Sequence, residues 1–96
     1  MDSRYYIQLT LRTPDGPHVC GQFSISNNRQ RAEELFRKLH RNETANEESI
    51  IYLDFVERVN GVPVVRDIIS CTLAQLGENC KLISKELFKL HVLSVI

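Results

Sequence analysis

Residues 52–69 read YLDFVERVNGVPVVRDII, and this segment decides the fold. Two runs rich in β-branched residues flank Asn60-Gly61, a strong signal for a β-hairpin because both residues tolerate positive φ. The segment therefore predicts two antiparallel strands joined by a tight turn. Pro63 cannot donate a hydrogen bond to a neighbouring strand, so we expect the second strand at a sheet edge or the proline on its unpaired side.

The register of this hairpin has two alternatives. A two-residue turn sets Asp54 opposite Asp67, whereas a three-residue turn with Gly61 in a bulge pairs Asp54 with Arg66. Opposite charges across a ladder stabilise it by roughly 0.2 to 1 kcal/mol and like charges destabilise it by a similar amount, so we favour the bulged turn. In the other register the two aspartates form a carboxylate pair, which is a poor metal site without further oxygen ligands.

A first hairpin precedes this segment. Apolar and polar residues alternate strictly from Tyr5 to Arg12, and they alternate again from Val19 to Ile25. Alternation with a period of two is typical of strands that are buried on one face. The residues between them, 13–17, read TPDGP and supply the proline, aspartate and glycine of a tight reversal.

Two further segments have helical periodicity. Asn27 stands three residues before Gln30, a spacing like that of a capping box, and predicts a helix that runs to about Arg41. Thr72 and Gln75 have the same spacing at the start of a longer helix. The apolar residues of that helix recur at intervals of three and four: Leu73, Leu76, Cys80, Ile83, Leu87 and Leu90.

The predicted order is thus β-β-α-β-β-α in one domain over residues 1–96. It indicates the α+β class, with a four-stranded, mainly antiparallel sheet and both helices on one face. A right-handed crossover through the first helix favours the strand order 2-1-3-4. The polar segment 42–48 is expected to form a surface loop.

Composition narrows the class of protein. With 96 residues, 43% apolar and 25% charged, the chain can build one globular core. No run approaches the 18 to 20 or so apolar residues of a membrane span, and the first residues lack the apolar core of a secretory signal. Three cysteines at irregular spacing fit neither a disulfide framework nor a zinc site. We therefore expect a cytoplasmic protein that does not act at membranes.

Catalytic patterns are missing from the sequence. It has no nucleophile elbow, no glycine-rich phosphate loop and no cluster of histidines and cysteines. Cys71 precedes the last helix, where a thiol can be activated, but burial as a small apolar residue is the interpretation we favour. We expect neither an enzyme nor a cofactor or metal ion.

The last helix favours association with another protein or with a second copy as a homodimer. Several apolar residues lie off its main stripe or in the apolar chain end, more than packing on a four-stranded sheet explains. An exposed strand edge is a further surface for such contact. The predicted contact residues are Leu82, Phe88, Val92 and Ile96.

The alternative is a nucleic-acid-binding domain. The first helix carries basic residues that we assign to this hypothesis: Arg29, Arg31, Lys38 and Arg41. Glu33 and Glu34 lie four residues before basic partners, a pattern typical of a solvated helix face. Tyr6 and Tyr52 could stack on bases if they share an open sheet face. The formal net charge of zero gives no long-range attraction to phosphates.

Overall fold

The computed structural model describes residues 3–42 and 49–95. Its elements are β1 (Ser3–Thr13), β2 (Gly16–Ser26), α1 (Arg29–Lys38), β3 (Ile51–Val59), β4 (Val62–Cys71) and α2 (Leu73–Val95). The strands form one antiparallel sheet in the order β2-β1-β3-β4. The predicted element order, class, sheet and strand order are confirmed. Of the predicted surface loop 42–48, residues 43–48 lie outside the described residues.

One buried cluster joins both helices to the sheet. Ile7 of β1, Leu53 of β3 and Ile83 of α2 belong to it, and each is 0% exposed. Phe36 of α1 stacks on Phe55 of β3 with ring centroids 5.1 Å apart. Burying a side chain of this size stabilises the fold by about 1.5–3 kcal/mol. We call the sheet face that contributes Ile7, Leu53 and Phe55 the core face.

The second face of the sheet has a different character. Successive side chains of a strand point to opposite sides, so this face carries the residues between those of the core face. We call it the Tyr6 face, and its central members are Tyr6, Gln8, Thr10, Asp54, Val56 and Arg58. Buried Asp54 accepts hydrogen bonds from the Thr10 hydroxyl at 2.7 Å and from the Gln8 amide at 3.1 Å. The carboxylate is therefore held within the sheet.

The turn between β3 and β4 differs from the one that we favoured. Asn60 has φ 51° and Gly61 has φ 83°, so both residues occupy the left-handed region, as a two-residue type I′ turn requires. Val59 pairs with Val62 across it. The prediction of a bulged three-residue turn is therefore wrong. The bulge lies further along the hairpin, where the register shifts between Phe55 and its neighbour in β3.

This displaced bulge changes the charge pairs. Asp54 lies opposite Ile68, and Asp67 lies opposite Phe55, so the predicted pairing of Asp54 with Arg66 is wrong. The two carboxylates do not face one another either, because Asp67 is level with a core-face residue and Asp54 belongs to the Tyr6 face. The bulge leaves Arg66 without a residue opposite it, and its guanidinium instead reaches a carboxylate on β3 (see below).

The first helix is shorter than the sequence predicts. Its N-cap is Asn28 rather than Asn27, and the Asn28 Oδ1 accepts the Arg31 backbone N–H at 3.1 Å. It ends at Lys38 instead of Arg41. The chain that follows is extended because it is held from outside: the Asn42 N–H donates to the Ser70 carbonyl of β4 at 2.8 Å. Tertiary hydrogen bonds thus replace the last helical turn.

The second helix begins as the sequence predicts. The Thr72 N–H donates to the Gln75 Oε1 at 2.9 Å, and the Gln75 N–H donates to the Thr72 Oγ1 at 3.1 Å. This reciprocal pair is a capping box, which satisfies backbone donors that a helix start leaves open. The β4-to-α2 connection is therefore short and fixed.

Asn79 of α2 clamps the segment after α1. It is 0% exposed, its Nδ2 donates to the His40 carbonyl at 2.9 Å, and its Oδ1 accepts the His40 N–H at 2.7 Å. One side-chain amide thus satisfies both backbone groups of a single residue, as a neighbouring strand would. This contact joins α2 to the end of α1.

We expect Asn79→Ala to lower the free energy of unfolding by about 1–3 kcal/mol, because both backbone groups of His40 lose their partner in a partly buried place. Urea unfolding followed by circular dichroism measures it. The control is Ser84→Ala on the exposed side of the same helix, with a change within about 0.5 kcal/mol. Equal stability of the two variants would contradict the clamp.

Candidate functional site

The outer side of α2 exposes a large aromatic residue. Phe88 is 68% exposed, whereas Ile83 and Leu87 of the same helix are buried in or packed against the core cluster. At 3.6 residues per turn, Phe88 lies about 140° around the helix from Ile83. The phenyl ring therefore faces away from the sheet.

The other predicted contact residues do not form one surface with Phe88. Leu82 is half-buried and packs against the core cluster, which accounts for it as a core residue. Val92 lies within α2, but its side chain is outside the described part of the chain, as is the whole of Ile96. Of the predicted interface, the structure therefore shows one exposed member.

Charges near Phe88 are paired within the helix. Lys89 lies 3.8 Å from Glu86, and Lys81 lies 3.5 Å from Glu78. Such exposed pairs contribute little to stability. Lys85, three residues before Phe88, is however exposed and belongs to none of the ion pairs among the described residues, so the helix surface around Phe88 keeps a small excess of positive charge.

The basic residues of α1 are largely compensated. Arg29 donates to the Glu33 carboxylate at 2.9 Å, and Arg37 reaches the same carboxylate at 3.3 Å. The hydrogen bond and charge of Glu33 raise the pKa of Arg29. Arg41 donates to the Phe36 carbonyl at 3.4 Å and so caps the end of the helix.

Arg31 and Lys38 remain as exposed cations of α1. They border a shallow groove that Glu34 and Glu86 also line. Mixed charge of this kind does not make a continuous track for a phosphate backbone. Binding of nucleic acid to the predicted set of α1 residues stays a prediction.

A buried carboxylate on β3 gathers the densest polar cluster. Glu57 is 6% exposed. Its Oε1 accepts hydrogen bonds from Arg66 Nη2 at 2.7 Å and Nε at 2.8 Å, and its Oε2 accepts one from the Tyr5 hydroxyl at 3.1 Å. Two nitrogens of one guanidinium thus converge on a single carboxylate oxygen, and charge strengthens both contacts. We call these three residues the Glu57 cluster.

A cavity of about 300 Å³ adjoins the Glu57 cluster. Its charged lining contains three arginines and three carboxylates: Arg29, Arg37, Arg66, Glu33, Glu57 and Asp67. The cavity is therefore balanced in charge, and most of these groups already bond to one another. Burial, together with the hydrogen bond to Glu57, raises the pKa of Tyr5. The phenol donates its proton to the Glu57 carboxylate and so anchors this carboxylate from β1.

The sequence contained a weak signal for this cluster. Glu57 follows Leu53 and Phe55 at the same alternation, so the pattern places a carboxylate on the core face. A carboxylate at such a position needs a cationic partner. Arg66 could not be predicted as this partner, because a bulge in β4 frees it for the contact and the sequence does not locate that bulge.

The other candidate groups show no catalytic arrangement. Burial, and then the nearby Cys80, raises the pKa of the Cys71 thiol, the opposite of an activated cysteine. Within the described residues, no three histidine, cysteine or acidic side chains come together as a metal site would need. None of the helices over residues 3–42 and 49–95 combines the length and apolar content required to cross a bilayer.

Comparisons with known proteins return no relative: no family model, no curated protein and no solved structure matches the chain.

We expect the Tyr5→Phe variant to lose less stability than the unmodified protein at high pH. Because the pKa of Tyr5 in the folded protein lies above its ordinary value of 10.0, its contribution to stability is complete below that value and is lost as pH rises through the raised pKa. Urea unfolding at several pH values above and below 10 measures the slope. Identical slopes in the two proteins would show that Tyr5 does not carry this effect.

Proposed function

We propose that the protein is a non-catalytic self-association module in which a second copy docks on the outer side of α2 around Phe88. The observation that carries the proposal is the 68% exposure of the Phe88 ring. Aromatic residues are enriched among those that dominate interface energetics, because they bury a large area with few rotatable bonds. In a two-fold dimer, each copy presents the same patch to the other.

The charge distribution favours a second copy as the occupant. Two copies of the same surface repel each other if that surface carries an excess of one sign of charge. Near Phe88 on α2, Lys89 is paired with Glu86 and Lys81 with Glu78, so Lys85 leaves an excess of only one positive charge. The formal net charge of the chain is zero, so there is no long-range repulsion between copies.

The edge of β4 is a poor alternative surface for this association. On β4, Pro63 has no N–H to donate, and the hairpin carries a bulge beside Phe55. The Ile68 N–H is already bonded to the Asp67 carboxylate at 2.8 Å. Proline, bulges and charges are the features by which sheet edges avoid pairing with other chains. The helix is therefore the better candidate than the strand edge of our sequence-based hypothesis.

We place this function in the cytoplasm. Cys20 is a free and exposed thiol, and Cys71 and Cys80 are also free. Unpaired thiols, one of them exposed, suit a reducing compartment. The proposal of a non-catalytic role is supported by the buried Cys71, because burial raises the pKa of its thiol, the opposite of an activated cysteine.

We expect Phe88→Glu to convert a dimer into a monomer, because each copy then places a charge where the partner's ring was buried. Light scattering coupled to size exclusion, over a wide range of protein concentration, measures the mass. The fold should persist because the ring is exposed; circular dichroism checks this.

Leu73→Glu is the matched control. Leu73 is 75% exposed on the same helix and lies about 22 Å along its axis from Phe88. The Leu73→Glu variant should have the same mass in solution as the unmodified protein. A protein that is monomeric at every concentration, or a Phe88→Glu variant that still dimerises, would refute self-association through α2.

A further inference from the structure

Two arginines lie side by side on the Tyr6 face without a counter-charge. Arg4 of β1 is directly opposite Arg58 of β3, and both are exposed. Like charges at directly opposed positions destabilise a sheet. Among the described residues, no carboxylate forms an ion pair with either of them. Arg58 also contacts the ring of Tyr6, a cation–π contact that holds its side chain but does not remove the positive charge of the pair.

The pair borders a groove of about 380 Å³, the size of a small-ligand site. None of the described residues that line it is acidic. This distinguishes the groove from the cavity beside the Glu57 cluster, where carboxylates match the arginines in number. The groove is further lined by neutral polar side chains: Gln22, Ser24, Ser26 and Asn27. It is thus cationic and rich in hydrogen-bond donors.

The backbone is irregular at the same place. In the β1–β2 ladder, Tyr5 pairs with Ser26 and Tyr6 pairs with Ser24, so one residue of β2 is left over as a bulge. Bulges often re-aim side chains beside functional sites. Ser26 Oγ accepts the Asn28 N–H at 2.9 Å, which leaves the hydroxyl proton available to donate to a ligand.

We propose that Arg4 and Arg58 bind the phosphate group of a small phosphorylated ligand. Guanidinium groups match the geometry of phosphate oxygens, and two of them neutralise its charge. Binding would also relieve the repulsion between the arginines. This site is separate from the proposed dimer surface and does not depend on it.

The ring of Tyr6 argues for an isolated phosphate group over a nucleic-acid strand. Arg58 lies over this ring, with its guanidinium carbon 5.3 Å from the ring centroid, and Tyr6 is 7% exposed. Proteins that bind single strands offer exposed aromatic faces on which bases stack. Here that face is already occupied by the cation.

The test is a titration of the full chain with inorganic phosphate at constant ionic strength, followed by amide chemical shifts. We expect saturable shifts centred on residues 4–6, 22–27 and 58. Arg4→Gln and Arg58→Gln should each weaken binding by about tenfold or more, because each removes a charge-assisted contact. Arg31→Gln, which removes an equal charge from α1, should bind as the unmodified protein does.

A second readout separates binding from a structural role. Phosphate should raise the melting temperature of the unmodified protein and of Arg31→Gln, but not of Arg4→Gln. Without phosphate, Arg4→Gln should be at least as stable as the unmodified protein, since repulsion is relieved.

Three results would overturn the proposal. The first is amide chemical shifts that change linearly with phosphate concentration and do not saturate. The second is an Arg4→Gln variant that binds phosphate as tightly as the unmodified protein. The third is a single-stranded oligonucleotide that binds more tightly than phosphate and is weakened by Arg31→Gln as well, which would identify the ligand as a nucleic-acid backbone.

Discussion

The antiparallel pairing of β1 with β3 is the constraint on which the rest of the structure depends. Each hairpin is local, but a two-stranded hairpin alone is marginal in water. Ile7 opposite Phe55 and Leu53 opposite Leu9 join the two hairpins into one sheet. Closing this long connection costs chain entropy, and the core offsets it because side chains of both helices are buried in one cluster with Ile7, Leu53 and Phe55. Helix position and sheet register are therefore fixed together.

Two buried polar contacts fix features of the fold that apolar packing alone does not determine. Apolar packing tolerates small shifts, whereas a buried polar group destabilises the fold unless its partner is in place. Asn79 fixes where α1 must end, because it takes both backbone groups of His40. Glu57 fixes the β3–β4 ladder, since its partner Arg66 is available only at the bulge. The Asn79 contact explains why α1 is shorter than the sequence predicts. The Glu57 contact explains why the register of the β3–β4 hairpin differs from the predicted one.

The sequence predicts those features that are encoded locally. Alternation, the Asn60-Gly61 turn and the Thr72–Gln75 capping box identify the elements and their order, since each depends on residues close in the chain. The end of α1 and the hairpin register were mispredicted because distant residues decide them. The same limit applies to the sites. Exposure of Phe88 follows from its place on the helix, but Arg4 and Arg58 become neighbours only once β1 pairs with β3.

The distribution of carboxylates explains why positive charge remains on the Tyr6 face. Glu33, Glu57 and Asp67 all line the charge-balanced cavity at α1. On the Tyr6 face, the buried carboxylate of Asp54 already accepts bonds from Thr10 and Gln8. It lies four residues from Arg58, about 13 Å along the strand, too far for a direct ion pair. Among the described residues, the Tyr6 face thereby keeps a cationic groove, because Glu33, Glu57 and Asp67 lie at the other cavity.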